Sequence, residues 1–294
     1  MISETVELVN TSDNGELVAD TGIIKVNQKD NDGNTPLSVA SDQGHEEVVK
    51  MLLAVPGIDV NLEDKDGDTP LGLASRKDNN EVVKMLLAVP GIDVNKANSN
   101  GRTPLWRAAG AGHSDVVKML LAIPGIDVNL ADNDGDTPLT IASHKEHSDI
   151  VEMLLTVPGI EVNKANSRGR TPLLRASFSG NTEVVKILMA VPGIDVNLAD
   201  NDGDTPLSIA SYKDHPDIME MLLAVPGINV NSEDEDGNTP LNLASRNGNT
   251  EAVKYLLAVP GINIDKANNE GRTPLWRASF GGHAEIVELL LRAG

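Results

Sequence analysis

Thr35-Pro36-Leu37 decides the fold, because the same triplet begins again at Thr69, Thr103, Thr137, Thr171, Thr205, Thr239 and Thr273, always 34 residues on. A spacing held without one slip defines an array. Around the triplet each copy carries the same parts in the same order. Thr-Pro-Leu-x-x-Ala comes first, followed by a turn, apolar doublets such as Val48-Val49 and Leu52-Leu53, and then Pro56-Gly57-Ile58-Asp59-Val60-Asn61.

The chemistry of these parts predicts two short helices per copy. Thr offers a hydroxyl to cap the first helix, and Pro suits its first turn, where the missing N–H would have no partner. Leu37 and Ala40 are placed to face inward, and small residues at Ala40 and Ser41 allow a neighbouring helix to come close. Val48, Val49, Leu52 and Leu53 form one apolar face of the second helix, with Glu46, Glu47 and Lys50 on the other side. Val55-Pro56-Gly57 ends it.

This order of parts resembles the ankyrin repeat, from about Gly22 to Gly294. The resemblance implies a mostly α solenoid of stacked helix-turn-helix units with short β-hairpins, whose tips here include Asp64-Lys65-Asp66-Gly67. Residues 1–24 form a degenerate capping unit in this reading, with shorter, more polar helices, and residues 25–294 form eight repeats. Departures from the family pattern are also visible. The His that usually follows Thr-Pro-Leu is replaced by Ser38, Gly72, Trp106, Thr140, Leu174, Ser208, Asn242 and Trp276. Between the helices, the expected Gly is replaced by Asp78, Glu146 and Asp214, which predicts backbone strain in the second, fourth and sixth repeats, most of all at Glu146.

The chain has 294 residues, a formal net charge of −20 and no Cys. The acidic balance argues against nucleic acid, whose binding depends on Lys and Arg neutralising phosphates. The absence of Cys rules out disulfides and thiolate chemistry. The start lacks a signal-peptide pattern, and no apolar run is long enough for a membrane span. A soluble, intracellular, cytoplasmic monomer is the expectation. Asp132-Asn133-Asp134-Gly135 suggests calcium, yet an EF-hand register would put Leu130 and Ile141 on ligand positions. No cofactor, metal site, phosphate loop or nucleophile elbow is expected.

Two types of copy are present and alternate in mid-array. One reads Asp134-Gly135-Asp136-Thr137, and the other reads Arg168-Gly169-Arg170-Thr171. The residues preceding Thr, namely Asp68, Arg102, Asp136, Arg170, Asp204 and Arg272, are therefore expected to form a ladder of pairs between stacked copies. The family resemblance places two further first-helix positions toward the concave face used for partners. They hold Arg107, Arg175 and Arg277, and Phe178, Tyr212, Arg246 and Phe280. Large aromatic and Arg side chains there are the candidate anchors for another protein, while Trp106 and Trp276 are expected to fill the vacant His site. The function implied is a non-catalytic protein-binding scaffold, or else the targeting array of a larger signalling or catalytic protein. Ile286, Leu289 and Leu290 are expected to leave an apolar end, as in a segment of a longer chain.

Overall fold

The computed structural model describes residues 9–11, 17–19 and 25–294. Among the described residues, sixteen helices follow one another in eight pairs, from α1 (Pro36–Asp42) and α2 (Glu46–Leu53) to α15 (Pro274–Gly281) and α16 (Ala284–Ala293). First helices pack on first helices and second on second, so the pairs form two parallel rows. Every first helix begins as its residues dictate. The Thr hydroxyl accepts from the backbone N–H three residues on, as Thr137 does from Thr140, and Pro occupies the first turn.

Between the rows lies one continuous core. Leu105, Leu139, Leu173 and Leu207 are fully buried, as are the second-helix residues Val117, Val151 and Val185. A pair of eight-residue helices presents too little surface to enclose these side chains alone, so each repeat closes its core against its neighbours. The expected apolar end is only partly as predicted. Ile286 and Leu290 are buried, whereas Trp276, Phe280 and Leu291 are the large hydrophobic residues exposed in the eighth repeat. The former join the common core, since α16 packs both on α15 and on the second helix of the preceding repeat.

Two further differences concern strands and the first unit. Within the repeats the expected hairpins are turns without strands. At each tip one backbone bond reaches the next repeat, as from the Ser167 N–H to the Asp134 carbonyl at 2.9 Å. One such bond per neighbour is too sparse to make a ladder. Gly135 is required at this tip, because its φ is +82° and a Cβ there would lie 2.6 Å from the Ser167 nitrogen. The only strands among the described residues are β1 (Val9–Thr11) and β2 (Leu17–Ala19), an antiparallel pair within the expected capping unit. The remainder of that unit, with its expected helices, lies outside the described residues.

The loop after each second helix explains the conserved order Pro-Gly-Ile-x-Val-Asn along the chain. Asn129 donates its side-chain amide to the Gly159 carbonyl of the next loop and accepts from the Glu161 N–H, at 2.9 and 3.0 Å. Asn27, Asn61, Asn95, Asn163, Asn197 and Asn231 do the same. The result is a seven-rung amide ladder that ties each loop to the next in a fixed register.

Asp78, Glu146 and Asp214 adopt the left-handed backbone, with φ of 60°, 65° and 61°. The turn is kept and the residue is strained. Replacing Glu146 by Gly is expected to stabilise the protein by about 1 kcal/mol, given the ~1–2 kcal/mol cost of that conformation for a residue with a Cβ. Asn129→Ala removes two hydrogen bonds and is expected to cost about 1–2 kcal/mol. Both changes are measurable by chemical denaturation, and the second leaves helix content unchanged.

Candidate functional site

The first-helix row and the adjoining turn tips hold the residues singled out by the sequence. Among these the arginines are the most constrained. Arg107 reaches back one repeat and forms a two-pronged pair with Asp68, at 2.7 and 2.9 Å. Its side chain is 10% exposed and that of Asp68 is 7% exposed. Burial pushes the Asp68 carboxyl up, against the opposing pull of Arg107, and burial likewise lowers Arg107. Arg175 likewise reaches back one repeat to Asp136, through a single bond at 3.3 Å. Arg277 meets a neutral acceptor instead, the Asn238 side-chain oxygen at 3.1 Å, with Glu270 at 3.8 Å.

The expected ladder of residues preceding Thr consequently takes another form. Arg102 and Arg170 do not meet Asp68, Asp136 or Asp204. They reach forward to Asp132 and Asp200, at 3.3 and 3.0 Å. Those two carboxylates also accept backbone N–H bonds within their own turns, from Asp134 and Asp136 and from Asp202 and Asp204. The physical reason is reach: a turn-held carboxylate at the tip is fixed in front of the arginine, while the carboxylate preceding Thr points to the row of first helices. Arg272 pairs within its own repeat, with Glu270 at 2.5 Å.

Asp204 is the exception to this scheme. The position from which Arg107 and Arg175 reach back is occupied by Leu243 in the seventh repeat, because the alternation of types lapses and two Asp-type copies follow each other. Asp204 keeps only the Ser208 hydroxyl, 2.9 Å away and shared with the Thr205 carbonyl. Burial, followed by the charges of Asp200, Asp234 and Asp202, pushes its carboxyl up to about 6, against the pull of Ser208. Among the described residues, the junction of the sixth and seventh repeats is the one interface between successive full repeats without an ion pair.

The aromatic candidates divide by exposure. Phe280 is 81% exposed and stacks on Trp276, with ring centroids 5.2 Å apart. Tyr212 is 39% exposed. Phe178 is half-buried, with Lys213 4.4 Å from its ring centroid and Arg170 at 5.6 Å. Trp106 is a packing residue: its indole N–H donates to the Asp136 carbonyl of the next repeat at 2.9 Å, and Arg102 covers its ring at 4.3 Å. Arg246 is exposed, and its side chain forms no ion pair among the described residues. Lys213 and Asp200 were not singled out from the sequence, and Asp132 was considered only within a calcium-like turn, although comparison of residues two repeats apart carries the signal for both aspartates.

Among the described residues, no group of three or more His, Asp and Glu side chains converges as metal ligands, and no helix is long and apolar enough to cross a membrane. A family model described as ankyrin repeats in three copies matches residues 8–98, 55–132, 89–166, 159–234 and 223–294. Together with the regular helix pairs, this places the chain in the ankyrin-repeat family. Ankyrin repeats are generally protein–protein interaction modules without catalytic chemistry of their own. No curated protein sequence matches the chain significantly.

A raised carboxyl has a definite consequence for stability. Native Asp204 takes up its proton near pH 6, whereas in the unfolded chain it does so near the ordinary carboxylate value. Its penalty is thus absent below about pH 4, grows between about pH 4 and 6, and is complete above. Asp204→Asn is expected to stabilise the protein by about 1–2 kcal/mol at pH 7, and by nothing measurable at pH about 4. Denaturation at both pH values checks the sign and the window.

Proposed function

We propose that the chain is a non-catalytic scaffold that holds another protein along its first-helix row and turn tips, with Phe178, Tyr212, Arg246 and Phe280 as the principal contacts. The observation that carries this reading is the exposure of Phe280, and to a lesser degree Tyr212, in a chain with only six aromatic residues. Large rings left in water on a regular surface are costly unless a partner covers them, and they dominate interface energetics when it does. Arg107, Arg175 and Arg277 have a different part in this proposal. Engaged with Asp68, Asp136 and Asn238, they shape the surface and hold successive repeats together.

The partner class is a protein, since the negative charge disfavours nucleic acid. The proposal extends to a monomeric, cytoplasmic scaffold, on the grounds of its charge and its lack of Cys.

Truncation separates contact from packing. Phe280→Ala is expected to cost less than about 1.5 kcal/mol of stability, because the ring is mostly exposed and loses chiefly its stack on Trp276. A core Phe would cost about 3–5 kcal/mol. Combined with Tyr212→Ala, it is expected to weaken binding of a partner isolated with the wild-type chain by more than about 2 kcal/mol. Calorimetric titration of that partner decides the matter. Unchanged affinity for the double variant, with both proteins folded, would remove this surface from consideration.

A further inference from the structure

Repeats two apart are of the same type over much of the array, so the chain contains its own comparison. Between the fourth and fifth repeats a cleft of about 180 Å³ is lined by Asp134, Asp136, Asn166, Ser167, Arg168 and Arg175. Two carboxylates and two guanidinium groups balance there, and Arg175 fills the place beside Asp136. Sixty-eight residues on, the corresponding positions hold Asp202, Asp204, Asp234, Glu235, Asp236 and Leu243. Five are acidic and none is basic.

The backbone bond between the tips is the same at both junctions. The Glu235 N–H donates to the Asp202 carbonyl as the Ser167 N–H donates to that of Asp134, both at 2.9 Å. The carboxylate therefore stands on the same framework as Asp68 and Asp136, and each of those receives a guanidinium from the following repeat. Leu243, in place of that arginine, is too short and too apolar to compensate Asp204. Asp200, Asp202 and Asp234 all act on Asp204 and add negative charge around it. Tyr212, eight residues beyond Asp204 on the adjoining helix and 39% exposed, offers a ring face of the kind on which guanidinium groups stack.

Resting on the reading of the chain as a protein-binding scaffold, we propose that the acidic junction of the sixth and seventh repeats, at Asp204, receives an arginine side chain from a basic segment of the partner. The incoming guanidinium takes the place beside Asp204 that Arg107 and Arg175 take beside Asp68 and Asp136. A planar, forked donor matches a carboxylate through two parallel bonds and stacks on an aromatic ring, whereas the ammonium of lysine does neither as well. Arginine is thus selected over lysine, beyond the attraction that any basic peptide feels for the acidic surface.

The test is fluorescence anisotropy at low ionic strength with two labelled probes, a Gly-Arg repeat peptide and its Gly-Lys counterpart, titrated with the full chain. The Arg probe is expected to bind at least about fivefold more tightly than the Lys probe. Asp204→Asn is expected to weaken it about tenfold or more, while Asp66→Asn, which removes an exposed carboxylate from another tip, changes it less than about twofold. Leu243→Arg supplies the missing group within the chain, so it is expected to abolish the preference for the Arg probe and to raise the melting temperature. Equal binding of both probes, with Asp204→Asn behaving like Asp66→Asn, overturns the proposal. If Asp204→Asn and Leu243→Arg are silent but Tyr212→Ala and Phe178→Ala weaken binding, the guanidinium site is wrong and the scaffold surface stands. If none of the four matters, both readings fail.

Discussion

The structure depends on burial between neighbours. Helices of seven or eight residues are too short to persist in water on their own, and one pair cannot enclose Leu139, Ile150, Val151 and Leu154, all of which are inaccessible to solvent. Each repeat completes the core of the next, and stability becomes a chain of nearest-neighbour terms. Small residues make this possible: Ala108, Ala142, Ala176 and Ala210 are fully buried and let the first helices approach closely.

Burial alone would tolerate sliding, since one apolar surface resembles another. Directional bonds fix the register. The asparagine ladder on the loops, the single backbone bond at each tip and the Asn79, Asn181 and Asn249 amides that reach back to Ser41, Ser143 and Ser211 each bind one repeat to the next. Their spacing is set by the period itself, so one inserted residue would break several bonds at once. This accounts for a repeat length that does not vary anywhere from Thr35 to Thr273.

Charge adds a slower rhythm. Asp-type and Arg-type copies alternate, so that turn-held carboxylates meet forward-reaching arginines and inner carboxylates meet backward-reaching ones. Where the alternation lapses at the seventh repeat, Asp204 is left without a guanidinium, and Arg277 on the far side is left with an amide in place of a carboxylate. Function and stability are in tension at such a place. A pair of Arg and Asp would strengthen the junction, and its omission leaves an acidic surface beside Tyr212 that a partner can use.

The amino-acid sequence by itself determined the repeat unit, because a strict period, a Thr hydroxyl and a Pro act within a few residues of one another. It also determined the left-handed turns at Asp78, Glu146 and Asp214, where register alone identifies the position. The partners of Asp68, Arg102, Asp136 and Arg170 were decided only by the tertiary structure, since the choice among neighbouring charges depends on side-chain direction across a stacking interface. The strands expected at the tips are absent from the repeats for a related reason: neighbouring tips share one backbone bond each, too few for a ladder. Exposure, too, belonged to the assembled stack. Trp106 and Trp276 stand at the same place in the repeat, yet the first donates its indole N–H to a following repeat and the second lies partly in water beside Phe280, because burial is a property of what packs on top.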